Sequence, residues 1–298
     1  MENLPKLEER RLALFENYKK ENKKGILFSL VGGLIILAGV SVSQPIFYFI
    51  GAIPIIIGLV FFGKSGKHLS SFKSMFKNEL ILTLLQEQFN NPFYNQHDMI
   101  SVPRILSTGM VKRPDRHSGE DYMSGSYKGV KFEVSDIDLK ERVETRDSKG
   151  NVQVSYQTYF KGRWYVYTFE RMFKEVLKIQ EGRGFGVNAK GLVKIDTESI
   201  EFNKKFAIYA STQEYGFYHI TSSMIEKLLE LEKMHRGTIL YCYMGNELHI
   251  GVNDRRDYME LSIKTPITKE SLKDFQADID LIPAIINELR LDSQKFKN

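Results

Sequence analysis

Residues 25–63 form a run of 39 without a single Asp, Glu, Lys, Arg or His. A helix needs about 20 apolar residues to cross a hydrocarbon layer roughly 30 Å thick, so the run is long enough for two crossings. Residues 25–40 contain ten Ile, Leu, Val or Phe, and residues 46–62 contain twelve. At about −0.3 to −0.6 kcal/mol for each, both segments gain several kcal/mol on insertion, with nothing ionised to offset it. Ser43-Gln44-Pro45 divides the run, because Gln44 is polar and proline opens a helix but cannot continue one. The expected spans are therefore about 25–44 and 46–63. Gly32, Gly33, Gly39, Gly51, Gly58 and Pro54 would weaken a helix in water, yet such residues are common in membrane helices. Ser29-x-x-x-Gly33 is a small-xxx-small pair of the kind that lets two helices approach closely.

Orientation follows from the flanking charge. Lys19, Lys20, Lys23 and Lys24 precede the first span; Lys64, Lys67, Lys73 and Lys77 follow the second, and the connecting turn is neutral. The positive-inside rule then predicts a multi-pass protein of the cell membrane with both termini in the cytoplasm. A secretory signal would be shorter, nearer the start and followed by a small-residue cleavage site. The other alternative, a buried hairpin of a water-soluble protein, sits badly with so long an uncharged run. Ahead of the spans, Leu4, Leu7, Leu14, Phe15 and Tyr18 fall near a helical period, so residues 1–24 read as a cytosolic amphipathic helix. The pattern leaves open whether that helix lies on the bilayer or packs on the rest of the chain.

Averages conceal this organisation: the mean hydropathy is −0.29 and charged residues make up 27%. The net charge of +5 owes much to the flanking lysines, which anionic lipid attracts by roughly 1 kcal/mol each. No basic stripe interleaved with aromatics points to nucleic acid. The single cysteine, Cys242, permits no intrachain disulfide and sits in a β-like run, where a free cysteine behaves as a small buried hydrophobe.

Residues 64–298 read as a cytosolic α+β domain of mixed antiparallel strands with flanking helices, and the pattern allows two subdomains, about 68–180 and 190–298. Phe72, Phe76, Leu80, Ile81, Leu84, Leu85 and Phe89 recur at helical spacing and should end before Asn91-Pro92. Residues 127–138 alternate as a strand, 144–157 form a hairpin around Asp147-Ser148-Lys149-Gly150, and 160–169 supply an aromatic strand. Residues 192–194 and 206–210 are further short strands. A helix opens near Ile220-Thr221-Ser222-Ser223, capped by Thr221 or by Ser223 in a box with Glu226, and closes at Gly237. Residues 238–244 and 247–252 should form a hairpin at Gly245-Asn246. A last helix is expected from Thr268, kinked or split at Pro283.

Several short motifs together carry a resemblance. The N-terminal hairpin, Gly119-Glu120-Asp121-Tyr122 with Gly125, Phe160-Lys161-Gly162-Arg163-Trp164, Phe206-Ala207-Ile208-Tyr209, His219-Ile220-Thr221 leading into residues 224–231, and residues 243–250 resemble the bacterial membrane-protein family catalogued as domain of unknown function 3137. Ser222 stands where that family is expected to carry a helix-opening proline, and residues 141–157 look like an insertion. The resemblance brings no chemistry and no cofactor. It implies one partner, a LemA-like membrane protein, because genes of the two families tend to be neighbours.

The sequence offers little chemistry of its own. Histidines 68, 97, 117, 219, 235 and 249 show no metal-ligand spacing. Gly182-Arg183-Gly184-Phe185-Gly186 lacks the strand and helix of a dinucleotide fingerprint and reads as a loop. Glu120, Asp121, Tyr122 and Trp164 are the candidate binding residues. The paired carboxylates could bind a cation or act as acid and base, although a turn leading into the strand at Tyr122, with Asp121 bonding backbone, is the favoured explanation. Trp164 and its tyrosine neighbours could line a surface, with about half of them simply core. The favoured reading is a membrane-anchored binding or regulatory module acting through protein contacts. The alternatives are an anchored hydrolase-like enzyme using Glu120 or Asp121, and a PH-like sensor of lipid headgroups.

Overall fold

The computed structural model describes residues 4–297 apart from 147, 149, 183–184, 235–236 and 257–258. It divides into two compact units, residues 1–83 with 260–274, and residues 84–259 with 275–298.

The first unit is built on two long antiparallel helices, α1 (Leu4–Ser41) and α2 (Ile46–Met75). Both are long and apolar enough to cross a membrane. Gly25, Gly32 and Gly39 on α1 and Gly51, Gly58 and Ser65 on α2 are buried, each set repeating every seven residues. Such a 3.5-residue period keeps one stripe facing a partner helix. The stripes meet closely: a Cβ on Gly32 would come 2.5 Å from the Gly51 carbonyl, and one on Gly58 would come 2.5 Å from Ser29 Oγ. Gly33, in contrast, faces open space. The Ser29-x-x-x-Gly33 pair is therefore not the seam, since only Ser29 of the two reaches α2. The outward side chains are large and bare, with Leu30, Leu34, Leu37, Phe49, Ile53 and Leu59 all at least 60% exposed. That is unlike the core helix of a soluble protein.

The turn forms where expected. Ser43 takes a left-handed conformation (φ 53°), and Pro45 stands at the cap of α2. Residues 4–24 are the first half of α1 rather than a separate helix. They are clamped by residues 260–274: Arg11, buried and paired with Glu8, donates to the Ile263 carbonyl, while Glu8 accepts from the Ile267 N–H. Further along, Lys73 and the buried Lys77 both pair with Glu260 at 3.0 Å. Beyond α2 the chain makes a π-helical turn, Phe76–Ile81, and then α3 (Leu82–Gln88).

Among the described residues, the second unit is built on one antiparallel sheet of seven strands. These are β1 (Asn90–Asn95), β2 (Arg116–Tyr127), β3 (Val130–Arg146), β4 (Val152–Glu181), β5 (Val193–Ile195), β6 (Phe206–Ala210) and β7 (Thr238–Asn253). The order is β1-β2-β3-β4-β6-β5, with β7 also on β4. The 30-residue β4 is the spine. Residues 163–168 lie between β3 and β7, and residues 177–180 lie between β6 and β7. Arg163, Trp164, Tyr165, Val166 and Tyr167 are all buried because both faces are covered there. Trp164 and Val166 join a core with Ile105, Met110 and Phe185, whereas the Tyr167 hydroxyl on the other face donates to the Ile282 carbonyl. A continuous apolar run in place of alternation is what two-sided burial selects.

The helices are α4 (Val102–Ser107), α5 (Ile200–Lys205), α6 (Gln213–His219), α7 (Ser222–Met234) and α8 (Lys273–Glu288). Thr221 caps α7, its hydroxyl accepting from the Met224 N–H at 3.3 Å.

Three expectations change. Gly245-Asn246 is not a hairpin turn. Residues 163–168 of β4 pair with 247–252 and residues 177–180 pair with 240–243, so β7 is one strand and Gly245 (φ 60°) is a bulge opposite Phe173. Both halves of β7 find their partner in the long β4 and have no need of each other. Strand β2 starts at Arg116, ahead of the turn expected at Asp121. The last helix begins at Lys273, because the Thr268 and Ser271 hydroxyls bond to nearby backbone instead, and it runs through Pro283 without splitting. The arms of the 144–157 hairpin pair as expected, closing at Arg146 and Val152. Asp147 and Lys149 of its turn, Arg183 and Gly184 of the glycine-rich loop, and His235 lie outside the described residues.

Candidate functional site

The sheet carries a cleft built from a bulge in β2. At Asp121 the backbone turns left-handed (φ 59°), and the register with β3 shifts between Glu120 and Met123. The Asp121 N–H donates to the Gln96 carbonyl, and the fully buried carboxylate accepts the Tyr94 hydroxyl at 2.5 Å. Burial and the Asp121 charge both push the Tyr94 phenol well above its ordinary value. The bulge separates the two neighbouring carboxylates. Asp121 goes into the structure, while Glu120 lines a cleft of about 340 Å³ together with Gln96, His97, Asp138, Lys161 and Arg256. The structure therefore does not assemble Glu120 and Asp121 into one acid–base pair.

Charges around the cleft are held by partners. Asp138 pairs with Lys140 at 3.1 Å and accepts from Thr158, and Arg256 pairs with Asp254 at 2.8 Å. Asp136 bonds the fully buried Arg163 at 2.7 Å. Burial works against that guanidinium's charge, but Asp136 outweighs it and the net pKa is raised. Gly162 makes this layout possible: its φ is 151°, and a Cβ would run into the Val252 carbonyl. Lys161-Gly162-Arg163-Trp164 thus joins a cleft residue to two buried ones.

A second feature links Tyr122 to Trp164, which sequence alone only placed among candidates. The Tyr122 hydroxyl donates to Glu133 at 2.8 Å, and Glu133 pairs with Arg104 of α4 at 2.7 Å. Arg104 also pairs with Glu247 at 2.7 Å, and Glu247 meets His249 Nε2 at 2.8 Å. The chain ends where Trp164 Nε1–H points to His249 Nδ1 at 3.3 Å. An indole N–H can only donate, so Nδ1 is the acceptor and the proton sits on Nε2, facing Glu247. The His249 hydrogen bond holds the Glu247 carboxyl down at about 2, against burial and with help from Arg104. Burial, then Glu133, lifts the Tyr122 phenol to about 12. Trp164 is wholly buried, its ring lying where a Cβ on Gly251 would sit, so it is a core residue. Sequence reasoning missed Arg104, Glu133, Glu247 and His249. Glu247-x-His249 was readable as one face of a strand, but nothing marked Arg104 as their partner.

Elsewhere, Cys242 is buried, with Sγ 3.8 Å from the Thr108 carbonyl, and burial pushes its thiol up to about 12. Among the described residues no group of three or more His, Cys, Asp or Glu is placed to hold a metal. Lys19, Lys20, Lys23, Lys64 and Lys67 are exposed and Lys24 half-buried. Lys24 and Lys64 lie over the same Phe61 ring, 5.1 and 5.3 Å from its centroid, so the basic residues of the two helices stand at one level.

The class these features define is an α+β protein in which a two-helix apolar hairpin is joined to an antiparallel sheet with flanking helices. Residues 158–291, a little under half of the chain, match the family described as protein of unknown function (DUF3137). No curated protein matches the sequence. Among solved structures, the chain is similar to the crystal structure of the mycobacterial trehalose monomycolate transport factor A, TtfA. The TM-score is 0.38 at 8% identity, covering 68% of this chain and 93% of that one.

Proposed function

We propose that this protein is a membrane-anchored module whose sheet domain stands in the cytoplasm and acts by binding a partner protein. The observation that carries the reading is the bare apolar surface of the α1–α2 hairpin, ended on both helices by lysines at one level. Apolar side chains of that size are stable outside a core only against lipid or another protein, and the lysine level marks the cytoplasmic boundary. Both termini then lie in the cytoplasm, with a LemA-like membrane protein, the partner implied by the resemblance, as the one to seek. The cleft at Glu120, where exposed charges of both signs meet, is the contact surface.

The buried, poorly ionised Cys242 makes the wild-type chain silent to maleimides, so single cysteines report topology. A membrane-impermeant maleimide added to intact cells should label the Ser43→Cys variant, and should label Lys67→Cys only after permeabilisation. The reverse pattern would overturn the orientation, and release of the chain by alkaline carbonate would overturn the anchor. Partner capture by cross-linking should drop several-fold in Glu120→Lys. Unchanged capture would remove the cleft from the reading.

A further inference from the structure

A second cavity in the sheet unit, about 260 Å³, opens at the N-terminus of α7. Its floor is His219, the last residue of α6. This side chain is 7% exposed and ringed by Phe173, Tyr215, Tyr218 and Tyr243, with centroids 4.6–5.5 Å away. Among the described residues its Nε2 is buried without a hydrogen-bond partner, whereas buried polar atoms in proteins nearly always have one. Over it stand the first turn of α7 with Thr221 and Ser223, then Arg290 and Lys295. Of the leading N–H groups of this 13-residue helix, that of Met224 is taken by the Thr221 hydroxyl and that of Ile225 by the Thr221 carbonyl, so those of Ser222 and Ser223 carry its positive end.

The charge balance around this cavity is positive. Lys227 is neutralised by Glu288 at 2.8 Å. Lys295 reaches a carbonyl, that of Tyr218 at 3.4 Å, and lies over the Tyr218 ring, with no ion pair to an acid among the described residues. Arg290, exposed on the rim, likewise forms no ion pair among them. The remaining wall is apolar, formed by Leu177, Met224 and Phe296.

We infer that this cavity binds a phosphate monoester, its oxygens received by the α7 N-terminus, Ser223, Arg290, Lys295 and His219 Nε2–H, and its organic remainder lying on the apolar wall. A phosphate offers enough acceptor oxygens to satisfy donors converging from a helix end, hydroxyls and two cations, which is a recurrent way of holding that group. The state of the cations agrees. Burial first, then Arg171, brings the Lys295 amine down to about 8, as expected for an ammonium lacking a counter-anion. Burial and Lys295 likewise take the His219 imidazole down to about 3, leaving it neutral.

The test uses the full chain in phosphatidylcholine nanodiscs, titrated calorimetrically with inorganic phosphate at constant ionic strength. Saturable binding is expected, weakened about tenfold by Arg290→Gln and by Lys295→Gln, and unchanged by Lys194→Gln, whose amine pairs with Asp196 and does not line the cavity. His219→Phe keeps the aromatic packing and should also weaken binding. Because Arg290 is exposed, its variant decides the matter even if His219→Phe does not fold. Phosphatidic acid in the discs should compete with phosphate if the natural source is a lipid headgroup. If it does not compete, the source is a free phosphate ester, and either result supports the site. Absence of saturable binding, or equal affinity in wild type, Arg290→Gln and Lys295→Gln, overturns it.

Discussion

The seam of the α1–α2 hairpin and the middle of the sheet are held together by opposite means. At the seam the buried positions are Gly25, Gly32, Gly39, Gly51, Gly58 and Ser65, and backbone meets backbone. In the sheet the buried positions are Trp164, Tyr165, Tyr167 and Phe160, with Arg163 bonded to Asp136 among them. In water, large side chains gain by leaving solvent, so a core is made of bulk. Between two helices whose outer faces stay apolar, leaving the surroundings gains nothing. Attraction must then come from close contact, which small residues permit. Burial therefore has two meanings in one chain: bulk that is hidden, and absence of bulk that lets helices touch.

The contrast can be broken most strongly at Trp164. Trp164→Ala should cost about 3–5 kcal/mol by leaving a cavity and stranding His249 Nδ1. Leu34→Ala, which trims a side chain 66% exposed, should change stability by no more than about 0.5 kcal/mol. Denaturant unfolding of the full chain in detergent, followed by circular dichroism, measures both, and equal effects would erase the distinction.

Next in size is the seam itself. Gly32→Ile forces a side chain against Gly51 and Ile55 and should cost about 1–3 kcal/mol. Gly33→Ile, with open space around it, should be silent. Comparable losses at both positions in thermal melts would show that the heptad stripe is not the contact.

The smallest effect sharpens the sheet side. Glu181 is buried with its carboxylate on the Ile239 N–H, and burial prevails, lifting its carboxyl to about 7 from 4.5. The folded value lies above the unfolded one. Its contribution is therefore complete below about pH 4.5 and is lost as pH rises through about 7. Wild type should lose a few degrees of melting temperature between pH 5 and pH 8, and Glu181→Gln should flatten that slope. An unchanged slope would mean that Glu181 is not the group responsible.

How much could be read in advance differs between the regions. The Ser43–Pro45 turn, the helix capped by Thr221 and strand β6 are local patterns and appear where the sequence puts them. The seam is legible too, as glycines seven apart, whereas the shorter spacing of Ser29 and Gly33 puts Gly33 in open space. Gly245-Asn246 carried a strong hairpin signal that failed, because the signal describes a two-residue loop and says nothing of a 30-residue neighbour able to pair with both arms. Of the proposed site residues, Asp121 and Trp164 are interior and Glu120 faces a cleft. Their side-chain directions depend on a bulge whose partner, Gln96, is 25 positions away.

The amino-acid order alone determined that this chain carries two apolar helices with lysines at their ends and an α+β remainder, because charge-free length and short-range periodicity are properties of neighbours along the chain. Tertiary structure alone decided which strand flanks β4 on each side, that Arg104 bridges Glu133 and Glu247, and that Lys295 reaches the Tyr218 carbonyl beside His219. These juxtapositions join residues tens to more than a hundred positions apart, and their energies exist only once the intervening loops have closed.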